Sequence, residues 1–137
     1  MAKESGLGMT VTVDDSSGSG QAISNDCTSV SWNMPSGVQD VTGVNSTGME
    51  RLLLLADLSI TLTGVFNDGS NLSFAVFKNY RTLAANQVGR TTAIAISGQT
   101  LSDEILYNDF SFNRGQDGSF VWTAPGSLSD GGTPAWS

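Results

Sequence analysis

The sequence predicts a mainly β fold, a β-sandwich or barrel with one or two short flanking helices. Three observations carry that prediction. Several segments alternate apolar and polar residues with period two, as strands do when one face is packed and the other wet. Of the 137 residues, 48 are Gly, Ser or Thr, which suits short strands and tight turns better than long helices. Only 14% are charged while 39% are apolar, so the chain should fold, and much of its surface is suited to meeting other protein. One domain over 1–137 is expected, with 1–8 and 126–137 as possible arms or loops.

The elements follow in order. Met9, Val11 and Val13 alternate with Thr10 and Thr12 in a first strand. Asp14 to Gly20 reads as a flexible connection. Val30, Trp32 and Met34 share one face of a second strand over Thr28 to Met34, which Pro35-Ser36-Gly37 ends because proline donates nothing to a ladder. Gln39 to Gly48 is polar and turn-like. Met49 to Ala56 reads as a short helix, since leucine favours helix, with Thr47 and Glu50 spaced as a capping box. Leu58, Ile60 and Leu62 alternate with Asp57, Ser59, Thr61 and Thr63 in the cleanest strand of the chain.

Asn67-Asp68-Gly69 is a turn, and Ser70 is placed to cap a second helix over Asn71 to Tyr80. Thr91 to Ser97 is β-branched and strand-like, and Gly98-Gln99 reads as a hairpin turn. Leu101 to Asn113 predicts one long strand whose apolar face switches midway, as across a bulge. Asp117-Gly118 is a hairpin turn before a last strand with Phe120 and Trp122, closed by Pro125-Gly126.

Composition excludes much chemistry. There is no histidine and one cysteine, Cys27, so a histidine-based triad is impossible and Cys/His zinc sites lack ligands. A net charge of −7 argues against wrapping nucleic acid. No secretory leader follows Met1, the apolar run Leu52 to Ala56 is far too short to span a bilayer, and folding in a reducing cytosol is expected. Cys27 then reads as a small, partly buried thiol. Asp103 and Glu104 are adjacent and point to opposite faces of a strand, so they make no catalytic carboxylate pair. Gly18-Ser19-Gly20 lacks the third glycine of a dinucleotide fingerprint, and Asn67 to Asn71 lacks the EF-hand spacing. Phe110, Phe112, Phe120 and Trp122 alternate like core residues and not like a base-stacking platform. No catalytic residue, metal site or cofactor is expected.

One resemblance rests on the order of several stretches. Gln39-Asp40-Val41-Thr42-Gly43-Val44 runs into Glu50 to Asp57, then Leu62-Thr63-Gly64-Val65-Phe66-Asn67, Val76-Phe77-Lys78, Asp117 to Ser127 and Asp130 to Trp136. Over residues 38–136 the chain resembles the major tail tube proteins of long, flexible-tailed bacteriophages. The resemblance implies a β-sandwich shared with type VI secretion tube proteins and a non-enzymatic virion protein assembled in the host cytoplasm. It implies subunits in hexameric rings that stack into a hollow tail tube. The partners implied are further copies of the chain, tape-measure protein, and tail-tip or terminator proteins. Double-stranded DNA passes transiently through the lumen, with no membrane insertion.

Within that frame Asp57, Ser59, Thr61, Thr63 and Glu104 are candidate lumen-facing residues, with Ser102 and Asn108 beside Glu104 in a less regular set. An acidic or neutral wall lets phosphate slide where a basic one grips. The loop residues Asp14, Asp15, Ser36, Gly37, Val38, Gln39, Asp40 and Val41 are candidates for contact between subunits or rings. Two alternatives remain: another ring-forming tail component, such as a terminator or head–tail connector, and a carbohydrate-binding β-sandwich. The last needs an exposed aromatic platform, and only Trp32, Trp122 and Trp136 are available as tryptophans.

Overall fold

A computed structural model describes Lys3 and residues 5–137. Ten strands and one short helix follow in order: β1 (Thr10–Asp14), β2 (Gly20–Ala22), β3 (Cys27–Asn33), β4 (Ser36–Asp40), β5 (Arg51–Ala56), β6 (Ser59–Val65), α1 (Ser73–Phe77), β7 (Arg90–Ile96), β8 (Gln99–Tyr107), β9 (Ser111–Arg114) and β10 (Phe120–Leu128). Eight strands form one sheet in the order β2-β1-β7-β8-β10-β6-β3, with β9 also paired to β10. Strands β4 and β5 form a separate two-stranded sheet. Every pairing is antiparallel.

The sheet curls on itself. Its ends, β1-β2 and β3, are joined by the turn after Ile23, whose amide donates to Val11 O (3.0 Å) and whose carbonyl accepts from Cys27 N (3.2 Å). Val11 and Val30 then line one crevice between the two ends of the strand order. The alternating apolar residues fill the space enclosed: Val11, Val13, Leu58, Ile60, Leu62, Ile94, Leu101, Ile105 and Ala124 are buried together. Trp122 lies at the centre with its Nε1 donating to Val65 O (2.9 Å). Phe77 of α1 packs edge-on to Tyr107 at 5.1 Å and against Trp122 at 5.3 Å. Gly64 faces this indole and the carbonyl of Asp26, and a Cβ there would sit 2.1 Å from that oxygen, so no larger residue fits.

The period-two segments of the sequence are strands, and several local readings are corrected. Met49 to Ala56 is not a helix: Arg51–Ala56 is strand β5, paired with Ser36–Asp40. Leucine's helical preference is weak and is overridden by this non-local pairing. Ser36 to Asp40 is accordingly a strand and not a loop. The β4-β5 hairpin prolongs the β3-β6 ladder: Asn33 pairs Ser59, and beyond the interruption at Pro35 the amide of Asp57 donates to Pro35 O (2.8 Å) before Ser36 pairs Ala56.

Asp14 to Gly20 is a tight hairpin turn between β1 and β2. The Asp15 carboxylate organises it, accepting from Ser17 N, Ser17 Oγ, Ser19 N and Gln21 Nε2. Residues 101–113 form two strands separated at Asn108–Phe110, so the change of apolar face marks a break and not a single-residue bulge. Pro125 does not close the last strand. Its carbonyl accepts from Asn108 N at that same gap (3.2 Å), where β10 passes from β9 to β8 and no ladder bond is required of a proline nitrogen. The turn before β8 is Ser97-Gly98, one residue earlier than expected, with φ of 53° and 79° as a type I′ turn requires.

The helix spans only Ser73–Phe77 and Ser70 does not cap it. Distant charged groups hold both its ends. The buried Asp26 carboxylate accepts from Ser73 N (3.1 Å) and from Asn67 Nδ2 (3.0 Å). At the other end the buried Arg90 guanidinium donates to the carbonyls of Val76, Asn79, Thr82 (3.1 Å) and Asp14 (3.5 Å). An anion at the first turn and a cation past the last one both oppose the helix dipole favourably.

Candidate functional site

Three surfaces of this fold are incomplete. The first is the β4-β5 hairpin. Leu52, Leu53, Leu54 and Leu55 are all exposed, Leu53 at 78% and Leu55 at 90%, with Val38, Val44 and Met49 beside them. Leu52 pairs with Gln39 and Leu53 with Val38, and the register slips by one residue between Leu53 and Ala56, so the leucines are presented on both faces of the arm. An isolated two-stranded hairpin is marginal in water, and four exposed leucines are a liability unless something covers them. The candidate residues Ser36, Gly37, Val38, Gln39 and Asp40 form one strand of this arm, and Val41 starts its tip with its amide on Glu50 O (2.9 Å). The leucines opposite them were assigned to a helix from local propensity. The available signal was their position between two polar turn regions, with no apolar stripe to shield them.

The second surface is the outer face of the curled sheet. Ser59, Thr61 and Thr63 project there, opposite the buried Ile60, Leu62 and Gly64. Cross-strand registers extend that face: Ser29, Thr63, Thr123 and Ser111 lie in one row, and Asn33, Ser59, Ser127 and Leu106 in another. The result is a band of small hydroxyl side chains with no cation among these positions. Glu104 lies on the same face beyond Leu106, its carboxylate accepting from Thr91 Oγ1 on β7. Ser102 precedes it on that face, while Asn108 lies past the end of β8. Asp57 sits exposed at the root of the arm and accepts from Leu58 N (2.8 Å). The structure thus brings Ser59, Thr61 and Thr63 together, with Asp57 at one end and Glu104 two strands away.

The third surface comprises the strand edges. Among the described residues the outer edge of β3, seven residues long, is unpaired, as are the outer edges of the short β2 and β9. Exposed edges are templates for another chain. Asp14 and Asp15 lie at the β1-β2 turn near one of them. Hydrogen bonds, that from Ser17 foremost, hold the Asp15 carboxyl down at about 2. Asp14 is largely buried against the body, which places it in the fold more than on a reaching loop.

Little here suits catalysis. Burial and the neighbouring Asp26 push the Cys27 thiol up to about 12, so it is a poor nucleophile. Burial and Asp130 raise the Asp103 carboxyl. Asp103 lies on the inner face of β8 and Glu104 on the outer, as the alternation required. Among the described residues no three metal-capable side chains converge and no helix is long and apolar enough to cross a membrane. Trp122 is buried, and Trp32 and Trp136 pack on each other at 5.7 Å with planes tilted by 58°, which is not a flat sugar platform. Trp136 also bridges to Leu101, and Ser137 exchanges two backbone bonds with Thr100 (2.8 and 2.9 Å), so the last residues close against β8. Of the suggested arm at 1–8, Met1, Ala2 and Glu4 lie outside the described residues. Phe112 and Phe120 depart from their core-like alternation: each is more than a third exposed, as is Phe66.

This arrangement of a curled antiparallel sheet, one short helix and a hairpin arm is a fold already seen in solved structures. Two solved structures have it over nearly the whole chain. A chain of the "Virion of native gene transfer agent (GTA) particle" matches at TM-score 0.72 with 15% identity, covering 98% of this chain and 99% of that one. A chain of the "Tail of empty GTA particle", solved with helical refinement and C6 symmetry, matches at TM-score 0.72 with 18% identity and the same coverage. No family model matches the sequence, and no curated protein does.

Proposed function

We propose that this chain is a structural virion protein whose copies assemble into hexameric rings stacked as a hollow tail tube, through which DNA is delivered. The observation that carries the proposal is the leucine arm, an element that has no support within its own subunit. The end-to-end fold match to a chain of a C6-symmetric tail supports the same reading. Each incomplete surface has a place in it. Free edges of the sheet are satisfied by the sheets of lateral neighbours, removing the hazard of unpaired strands. The arm is covered by another subunit. The hydroxyl band with Asp57, Ser59, Thr61, Thr63 and Glu104 faces the lumen, where a surface without cations neither releases counterions nor holds phosphate. The role is architectural, with no reaction to perform.

Negative-stain microscopy of the purified chain at rising concentration tests this. Rings and hollow tubes with sixfold end views are expected. A species that stays monomeric at high concentration refutes the assembly.

A further inference from the structure

The arm and a second apolar surface lie at opposite ends of the same ladder. Strand β6 starts at the arm's root, beside Asp57, and ends at Val65, where Phe66 follows and Val121 of β10 pairs across. The distance between those ends is roughly 24 Å for seven extended residues. At the far end Phe66, Phe112 and Phe120 form one cluster, with Phe120 at 5.1 Å from Phe66 and stacked on Phe112 at 5.0 Å. Each of the three is 38–39% exposed. Behind them Phe74, Phe77 and Phe110 fix their positions. A shallow depression beside Phe120 is lined by Arg114 and Gly118.

We infer that the Phe66-Phe112-Phe120 platform is the receptor for the leucine arm of another copy, with Leu55, the most exposed of the four leucines, seated against it. This deepens the assembly reading above and rests on it. The placement of the two surfaces selects this occupant. The surfaces sit at opposite poles, so joining one to the other is heterologous and repeats along an axis, whereas arm-to-arm or platform-to-platform contacts close into pairs. The charges do not oppose it: the arm carries Asp40 and Glu50 with Arg51 paired across from Asp40, and Arg114 borders the platform with Asp117 nearby.

Disulfide trapping decides the matter. A chain carrying both Leu55→Cys and Phe120→Cys should give, on mild oxidation of assembled material, a ladder of covalent multimers well beyond the dimer. Either substitution alone, with no thiol opposite it, should give no cross-link, and efficient dimers from one alone would mark arm-to-arm or platform-to-platform pairing and overturn the assignment. Tubes that form but yield no such ladder overturn the docking assignment and leave the assembly proposal standing. Wild-type protein that never assembles overturns both. A second arm uses Leu55→Ser and Phe120→Ser, each first matched to wild type by circular dichroism. Each should elongate at least tenfold more slowly by light scattering. Elongation of a folded Phe120→Ser at the wild-type rate rules the platform out.

Discussion

Arg90 shows how much one side chain organises in this fold. Its side chain is almost wholly buried, and among the described residues its guanidinium ties together β1, α1 and the loop beyond the helix through backbone carbonyls. A planar fork with several donors does this and an ammonium does not. Arg90→Met leaves those carbonyls unpaired in the interior, and a loss of roughly 3 kcal/mol in urea unfolding is expected. Arg90→Lys should recover only part of it. Two acids respond to pH in opposite senses. Asp15, held at about 2 against an ordinary 3.8, contributes stability that is present above 3.8 and lost as pH falls toward 2. Asp15→Asn should therefore cost on the order of 1 kcal/mol at neutral pH and progressively less as pH falls from 3.8 through about 2. Asp103, raised by burial and with one carboxylate oxygen buried unpaired, is disfavoured in its charged form by the fold. Asp103→Asn should raise the melting temperature at neutral pH, and the gain should vanish as pH falls below 3.8, where both states are protonated. Neither Arg90 nor Asp26 was legible in the sequence, because their partners lie 8 to 76 and 41 to 47 residues away.

At the scale of elements, legibility followed the range of the interaction that decides each one. Val11-Val13, Ile60-Leu62 and Phe120-Trp122 announce strands because a period-two pattern is written into the strand itself. The leucine run could not announce one. Four consecutive leucines satisfy no strand period with a dry side, and what makes them a strand is pairing with Ser36–Asp40 and a face that its own subunit does not cover. The same logic hid the platform, since alternation places Phe112 and Phe120 in a strand without showing how deep they sit. Removing Ser36 to Val41 is expected to leave a folded body, because the arm adds nothing to the core. Melting should shift by only a few degrees while tubes become short or absent under the microscope. Tubes of normal length would remove the arm from the assembly.

For the whole molecule the candidate lumen is the part least fixed by local pattern. Alternation identified the wet face of β6 correctly as a face, and registers with β3 and β10 show it to be a broad neutral band. Which way that band points depends on neighbours that one chain does not contain. Charge supplies the test. Asp57→Lys should leave tubes of normal length but lower DNA delivery in an infectivity assay, because a ring of ammonium groups holds phosphate by counterion release. Unchanged delivery would take Asp57 off the wall.

The joint at Pro35 has a mechanical meaning. Between body and hairpin the ladder narrows to the Asp57 amide on the Pro35 carbonyl, with regular pairing on the body side and a register slip just beyond Ser36 on the arm side. Stiff segments linked through so thin a crossing swing there before they stretch anywhere else. A long filament of these units would then flex by many small rotations at its joints, keeping every sheet intact and its bore open along the curve.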